Sequence, residues 1–251
     1  MTVTARALPG VPEVREGDDL AALLAAARGE PFAPGEVLVL AHKIVSKAEG
    51  RVVALADVEP SPRALELSAR AGKQDPRHVE VVLRESAEIV RAVRGVIICR
   101  THHGFVCANA GVDASNAAGA DELIMLPRDP DASARGLRAA LQAAGAGRPA
   151  VVITDSFGRA WRHGQCDVAI GIAGLAALED WRGRTDAHGR ELHATWIAIA
   201  DQAAAAADLA RGGKDAGEPA VVVTGLERHI RDEDGPGARE LVRGRNEDLF
   251  G

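Results

Sequence analysis

The sequence predicts a mixed α/β fold of the α+β type. Three segments, residues 36–41, 150–154 and 220–224, are apolar apart from one terminal residue each and have the length of strands that are buried on both faces of a sheet. Helical segments and one hairpin interleave with these strands without a strict β-α-β-α order, which is typical of a mixed fold. With 47% hydrophobic and 26% charged residues, the chain can bury the core that such a fold requires.

Five helices are predicted from capping residues and apolar spacing. The first begins at Asp18 or Asp19 and ends at Gly29, because aspartate is common at the start of a helix and glycine at its end. The other four cover residues 62–71, 77–93, 131–144 and 196–211.

The connecting segments carry turn signals. Residues 95–101 and 105–108 predict a hairpin, with His102 and His103 as residues of its turn. The glycines of residues 145–147 are either a joint between two subdomains or the cap that ends the preceding helix.

The composition excludes several classes of protein. The 30 basic residues against 36 acidic ones give a net charge of −6, which argues against a protein that coats nucleic acid. Neither an apolar run of the ~18 residues that span a bilayer nor a signal-peptide core is present, so we expect a cytoplasmic protein without a membrane partner. Cys99, Cys107 and Cys166 never form a C-x-x-C pair, which disfavours disulfides and zinc.

The first polar cluster, residues 42–51, directly follows the strand 36–41. It contains His42, Lys43, Ser46 and Lys47, and so two of the four lysines of the chain. Ammonium and hydroxyl groups suit phosphate oxygens. The alternative is a solvated turn between two strands, because the spacing matches no P-loop.

Two aspartates stand at positions that suit a metal ion. Asp155 directly follows the strand 150–154, and Asp113 lies in a loop with Ser115 and Asn116. Hard cations such as Mg²⁺ prefer carboxylate oxygens, so the two aspartates predict a shared metal site. An Asx-turn or a helix cap is the alternative for each of them.

A third polar cluster, with Arg159, Arg162 and His163, predicts an anion clamp, with surface salt bridges as the alternative. The G-x-S-x-G, H-E-x-x-H, Walker A and G-x-G-x-x-G motifs are absent from the sequence. The remaining inventory is that of a protein that handles a phosphorylated ligand through Mg²⁺ or Mn²⁺.

Four segments in matching order resemble the coenzyme F420:L-glutamate ligase family, also called F420-0 gamma-glutamyl ligases. They are residues 8–14, 42–51, 103–116 and 153–162. The resemblance runs nearly end to end and implies one ligase domain over residues 1–251, built from two interlocked subdomains and assembled as an intertwined homodimer. It further implies the stand-alone form of the ligase, without the flavin domain that follows residues 246–250 in some relatives.

The resemblance implies a GTP-dependent acid–amino-acid ligase. Such an enzyme adds L-glutamate to coenzyme F420-0 through an acyl phosphate and then adds further glutamates by gamma links. Two Mg²⁺ or Mn²⁺ ions are expected, and K⁺ is a further expectation. The alternatives are another metal-dependent phosphotransferase or amide ligase on the same scaffold, and a non-catalytic nucleotide-binding protein.

The resemblance also assigns roles to individual residues. Asp113, Asp155 and Lys47 are the expected catalytic residues, and the expected metal ligands are Asp113, Asp155 and Ser156. The expected GTP contacts are Val11, Pro12, Glu13, Val14, His42, Lys47, Asn116, Arg211, Gly212, Gly213 and Lys214.

Two positions depart from the family pattern. His42 stands where relatives often have Gln or Ser, and Gly213 stands where many have a Glu or Gln that helps to hold a metal. We therefore expect the second metal ion to be bound more weakly or to be completed by water.

Overall fold

The computed structural model describes residues 2–72, 75–117, 119–213 and 215–248. Its helices are α1 (Leu20–Arg28), α2 (His42–Ala48), α3 (Pro62–Ala71), α4 (Pro76–Arg84), α5 (Pro130–Ala143) and α6 (Ile199–Ala210). Its strands are β1 (Thr4–Ala7), β2 (Val37–Ala41), β3 (Val52–Ala54), β4 (Ser86–Val93), β5 (Val96–Thr101), β6 (Val106–Ala108), β7 (Glu122–Ile124), β8 (Ala150–Arg159), β9 (Arg162–Ala173), β10 (Leu178–Asp180), β11 (Trp196–Ala198) and β12 (Ala220–Thr224). This confirms the predicted α+β class.

A five-stranded sheet with the order β1-β12-β2-β8-β9 contains all three predicted apolar strands. Strands β2 and β8 are parallel, and the other neighbours are antiparallel. Successive residues of β2 point to opposite faces: Leu38 and Leu40 enter one core with α1 and α5, whereas Val37 and Val39 enter another with α6. The strands are apolar throughout because helices cover both faces of the sheet.

A third hydrophobic core lies in the segment between α2 and α5. It contains residues of α3 and α4 and of the sheet β4-β5-β6, including Leu67, Val79 and Ile97, all of them buried. The two-stranded sheet β3-β7 belongs to the same segment. Asp113 directly follows the core residue Val112 and pairs through its backbone with Ile124 at the end of β7, so the segment holds Asp113 in place.

The predicted helix over residues 77–93 is wrong in its second half. Helix α4 ends at Arg84, and the chain continues as β4, which pairs with β5. Arg94 and Gly95 join these strands with φ angles of 53° and 77°, the left-handed pair that a two-residue hairpin turn requires. The apolar spacing did not separate the two states, because a short apolar segment is compatible with a helix or a strand.

Two other predicted helix starts change. The helix expected over residues 196–211 begins at Ile199, because Trp196–Ala198 pairs with β10 as a strand. The helix expected from residue 131 begins at Pro130, with Asp129 as its N-cap. The first helix agrees with its prediction: the Asp19 side chain accepts a hydrogen bond from Ala22 N, and Gly29 ends it at a φ of 74°.

The glycines of residues 145–147 lie at the end of helix α5, which is the helix-cap alternative. The Ala146 amide bonds back to the Leu141 carbonyl and the Gly145 amide to that of Gln142, which is the geometry of a helix C-cap. Leu141 and Ala146 lie in the same hydrophobic core as β8. Among the described residues, no helix is long and apolar enough to cross a membrane.

Candidate active site

A cavity of about 300 Å³ opens where β2 ends beside β8. It collects residues that are far apart in the chain. The predicted site residues that line it are Val11, Pro12, Glu13, Val14, His42, Lys47, Asp113, Asn116, Asp155, Ser156, Arg211 and Gly213. Gly212 lies next to two of these residues in the chain but is not among the lining residues, and Lys214 lies outside the described residues.

The first polar cluster forms a helix, so the alternative of a solvated turn between two strands is wrong. Helix α2 begins at His42, directly after β2, and its residues Ser46 and Lys47 are buried. Lys43 and Lys47 are four residues apart on a helix and therefore share one face. Both lysines line the cavity.

Lys43 contacts the first predicted metal ligand. Its Nζ atom lies 2.6 Å from Asp113 Oδ2 and 2.5 Å from Ser115 Oγ. Burial alone would raise the pKa of Asp113, but hydrogen bonds from Lys43 and Ser115 outweigh it and lower the pKa to about 2. Asp113 is therefore ionised, as a cation ligand must be.

Asp155 does not stand at the end of its own strand, contrary to the prediction. β8 continues to Arg159, but its parallel neighbour β2 ends at Ala41, opposite Thr154. Beyond that point β8 is paired only with β9, and a register irregularity between Ile153 and Thr154 marks the change. Both faces of β8 then open onto the cavity, which Asp155 and Ser156 both line.

His42 is the neighbour of Asp155 on the helix side. Its Nε2 atom lies 3.4 Å from Asp155 Oδ1, and its Nδ1 atom lies 3.1 Å from Ser46 Oγ. Burial alone would raise the pKa of Asp155, but the charge of the nearby His42 and the hydrogen bond from the Ser156 amide lower it below its ordinary value. Asp155 is therefore also ionised.

Sequence reasoning missed a buried polar network in the cavity wall. Asp167, which is 3% exposed, accepts hydrogen bonds from Ser156 Oγ at 2.7 Å, from Thr154 Oγ1 at 2.7 Å and from the Arg211 guanidinium. Ser156 and Asp167 are directly opposite in the β8–β9 ladder, so their side chains meet on one face. The sequence does not show that Ser156 and Asp167 are paired, because this pairing depends on the register of the β8–β9 hairpin.

Lys47 makes an ion pair with Glu13 at 2.5 Å between Nζ and Oε1, which ties helix α2 to the segment 11–14. The Glu13 side chain is exposed, so an anionic ligand could replace its carboxylate as the partner of Lys47. Asn116 also lines the cavity, and its backbone is in the left-handed region with a φ of 59°. Asparagine adopts this conformation more readily than most residues.

The predicted anion clamp lies outside the cavity. Arg159, Arg162 and His163 surround the turn between β8 and β9 and are exposed, and the Arg159 guanidinium bonds to the His163 carbonyl. His102 and His103 lie in a turn, as predicted, and their Nε2 atoms contact backbone carbonyls.

The donor atoms in the cavity fit a hard divalent cation in kind. Asp113 and Asp155 supply ionised carboxylates, and Ser156 supplies a hydroxyl oxygen. Among the described residues, no group of three or more His, Cys, Asp or Glu side chains forms a metal site of its own. The protein atoms would therefore share a cation with oxygen atoms of a bound ligand.

The fold and the cavity define an α+β protein in which ammonium groups and carboxylates converge on one pocket, the inventory of enzymes that transfer phosphoryl groups. Residues 10–225 match the family model described as F420-0:Gamma-glutamyl ligase. The chain belongs to this family.

Curated relatives match over the whole chain. A coenzyme F420:L-glutamate ligase from Methanothermobacter thermautotrophicus is 44% identical, with 100% of this chain and 99% of the relative aligned. The protein of that name from Methanopyrus kandleri is 46% identical over 99% and 98% of the two chains. The one from Halobacterium salinarum is 44% identical over 95% and 96%.

Proposed function

We propose that this chain joins L-glutamate to coenzyme F420-0 by an amide bond with GTP as the phosphoryl donor, and then adds glutamate through gamma links. The observation that carries the proposal is that Asp113, Asp155 and Lys47 line one cavity in a chain of this family. The relatives carry the name coenzyme F420:L-glutamate ligase.

The reaction follows from the chemistry of its substrates. A carboxylate oxygen of F420-0 attacks the γ-phosphorus of GTP, and the bond to the bridging oxygen breaks with release of GDP. The glutamate amine then attacks the acyl phosphate, inorganic phosphate leaves, and the amine loses a proton as the amide forms. The carboxylate and the phosphates are both negatively charged, so the site must hold like charges together.

The side chains of the cavity divide this task. Lys47, and Lys43 next to Asp113, supply positive charge near phosphate oxygens. Asp113, Asp155 and Ser156 would hold Mg²⁺ or Mn²⁺, which offsets phosphate charge during transfer when it is bound. The segment 11–14 lines the cavity beside Lys47 and is proposed to contact the nucleotide, together with His42, Asn116, and Arg211 and Gly213.

The proposal also includes the assembly and the compartment. We propose a homodimer, because Trp161 at the tip of the β8–β9 hairpin is 81% exposed and large exposed apolar side chains often mark contacts between proteins. Light scattering after size exclusion measures the assembly directly. We propose a cytoplasmic enzyme, since Cys99, Cys107 and Cys166 form no disulfide and reduced thiols persist there. K⁺ as a further cation is tested by replacing it with Na⁺ in the assay.

The decisive experiment is incubation of the protein with GTP, Mg²⁺ or Mn²⁺, L-glutamate and F420-0. Mass spectrometry should show F420-0 extended by one or more glutamates, and GDP should appear in step with the product. ATP in place of GTP should give much slower turnover, because a site that bonds one base edge leaves buried groups unpaired with the other. GTP hydrolysis without ligation would favour another phosphotransferase, and nucleotide binding without turnover would favour a binding protein.

A further inference from the structure

Asp167 has no assigned role, yet three side chains of the cavity wall donate hydrogen bonds to it. One oxygen, Oδ1, accepts the Ser156 hydroxyl proton at 2.7 Å. The other, Oδ2, accepts from Thr154 Oγ1 at 2.7 Å and from the Arg211 guanidinium. Arg211 is itself buried, and its guanidinium balances the charge of Asp167.

The direction of the Ser156 hydrogen bond decides what this hydroxyl can offer to the cavity. A hydroxyl has one proton and two lone pairs. An ionised carboxylate can only accept hydrogen bonds. The Ser156 hydroxyl therefore donates its one proton to the hydrogen bond with Asp167 and has no proton left for a ligand in the cavity. The lone pairs of Ser156 Oγ remain for a group in the cavity, and lone pairs bind cations, whereas a free proton would bind phosphate oxygens.

We propose that Asp167 is a positioning residue that fixes Ser156 as an electron-pair donor toward a divalent cation in the cavity. The inference rests on the proposed function, in which the cation accompanies GTP. Arg211 and Thr154 take part by occupying Oδ2 of Asp167, which leaves Oδ1 as the partner of Ser156.

Asp167→Asn tests this inference with almost no change in size. Arg211 and Thr154 both donate toward the position of Oδ2, so the amide oxygen of the asparagine takes that position. The amide NH₂ then faces Ser156 Oγ, which must accept and turn its own proton into the cavity. The substitution therefore reverses the direction of the hydrogen bond between Ser156 and residue 167.

The measured quantity is the affinity for N-methylanthraniloyl-GTP, determined by fluorescence in EDTA and in Mg²⁺. We take the ratio of the dissociation constant in EDTA to that in Mg²⁺, which measures how much the cation strengthens binding. This ratio should fall about 10-fold or more in Asp167→Asn, since residues that orient a metal ligand have effects of that size. The dissociation constant in EDTA should change little. A purely structural role would alter both constants alike and leave the ratio unchanged.

Two comparisons sharpen the result. Ser156→Ala should lower the ratio, and the double variant Asp167→Asn/Ser156→Ala should lower it no further, because Asp167 acts through Ser156. Asp201→Asn is the matched control: Asp201 accepts the Ala169 amide of the same strand at 2.9 Å but does not line the cavity. Its ratio should equal that of the unmodified protein.

Ser156→Cys gives a second measurement that does not depend on folding of the Asp167 variant. Sulfur binds Mg²⁺ poorly and Cd²⁺ well, so Cd²⁺ should restore the ratio that Mg²⁺ loses. An equal response to both ions would overturn the inference, as would an unchanged ratio in Asp167→Asn or additive losses in the double variant. If the unmodified protein does not bind the GTP analogue, the proposed function is contradicted. If the protein binds GTP and Asp167→Asn lowers the ratio as expected, but no ligation occurs, the proposed function is contradicted and the inference about Asp167 stands.

Discussion

The ammonium group of Lys43 lies 2.6 Å from Oδ2 of Asp113, although the two residues are 70 positions apart in the chain. The same ammonium group contacts the carbonyl and the hydroxyl of Ser115 at 3.0 and 2.5 Å. All three of its protons therefore have acceptors in one loop. Lys43 fastens the Asp113 loop to helix α2 and places a positive charge at the cavity.

Replacing Lys43 by methionine should make the free energy of unfolding depend less on pH in the acidic range. The pKa of Asp113 is lowered from 3.8 to about 2 in the folded protein. This group therefore contributes stability above the higher value, and the contribution is lost as the pH falls through the lower one. In Lys43→Met the pKa of Asp113 should rise.

Urea denaturation in metal-free buffer measures this change. The unmodified protein should exceed Lys43→Met in unfolding free energy at neutral pH, and the gap should narrow toward about pH 2. The gap is kept modest by solvent screening, because the Asp113 side chain is 42% exposed. A gap of equal size at every pH would show that Lys43 does not act through the charge of Asp113.

Asp155→Asn should abolish ligation and leave the protein folded. The amide keeps the shape of the side chain, and its oxygen can still accept the Ser156 amide proton, which Asp155 Oδ1 now accepts at 2.8 Å. It lacks the negative charge that a divalent cation requires. Product mass analysis at saturating Mn²⁺, with circular dichroism as the folding control, checks this. Turnover near that of the unmodified protein would refute the assignment.

Lys47→Ala should weaken GTP binding about 10- to 100-fold, the loss expected for one charged hydrogen bond. Lys47 is buried and pairs with Glu13, so its stem and charge are already ordered at the cavity. Calorimetry with GTP measures the affinity. Glu13→Gln is the matched control, since it removes the ion pair while retaining the ammonium group, and it should bind GTP at least as well. Equal affinities of Lys47→Ala and the unmodified protein would contradict a phosphate contact.

Gly213→Glu should lower the Mn²⁺ concentration at half-maximal rate relative to Gly213→Ala. The glycine has a φ of 121°, where any L-residue is strained, and a Cβ there would lie 3.0 Å from Asp215 Oδ1. Both variants should therefore lose about 1–3 kcal/mol of stability. The alanine variant separates that strain from the effect of the added carboxylate. The same Mn²⁺ dependence in both variants would show that a side chain at this position does not reach a metal.

Many of the helices and strands could be predicted from local patterns in the sequence. The three apolar strands, the first helix with Asp19 and Gly29 at its ends, and the hairpin around His102 were predictable, because each depends on neighbouring residues. The motifs that resemble the ligase family also contained most residues of the cavity wall. The family model and the relatives confirmed that resemblance.

The helix predicted over residues 77–93 failed because strand pairing overrides local periodicity. Residues of β4 gain backbone partners in β5 through the turn at Arg94 and Gly95, and no property of the isolated segment reveals that partner. The same limit applied to Asp155. Its position in the site depends on where the neighbouring strand β2 stops, and that strand lies more than a hundred residues earlier in the chain.

The fold class, the family and the residue types of the cavity follow from the sequence alone, since composition, apolar patterns and contiguous motifs carry them. The contact of Lys43 with Asp113 and the hydrogen bond from Ser156 to Asp167 became visible in the folded chain alone. Hydrogen bonds act over about 3 Å, and the register of a hairpin and the end of a neighbouring strand decide which side chains come that close.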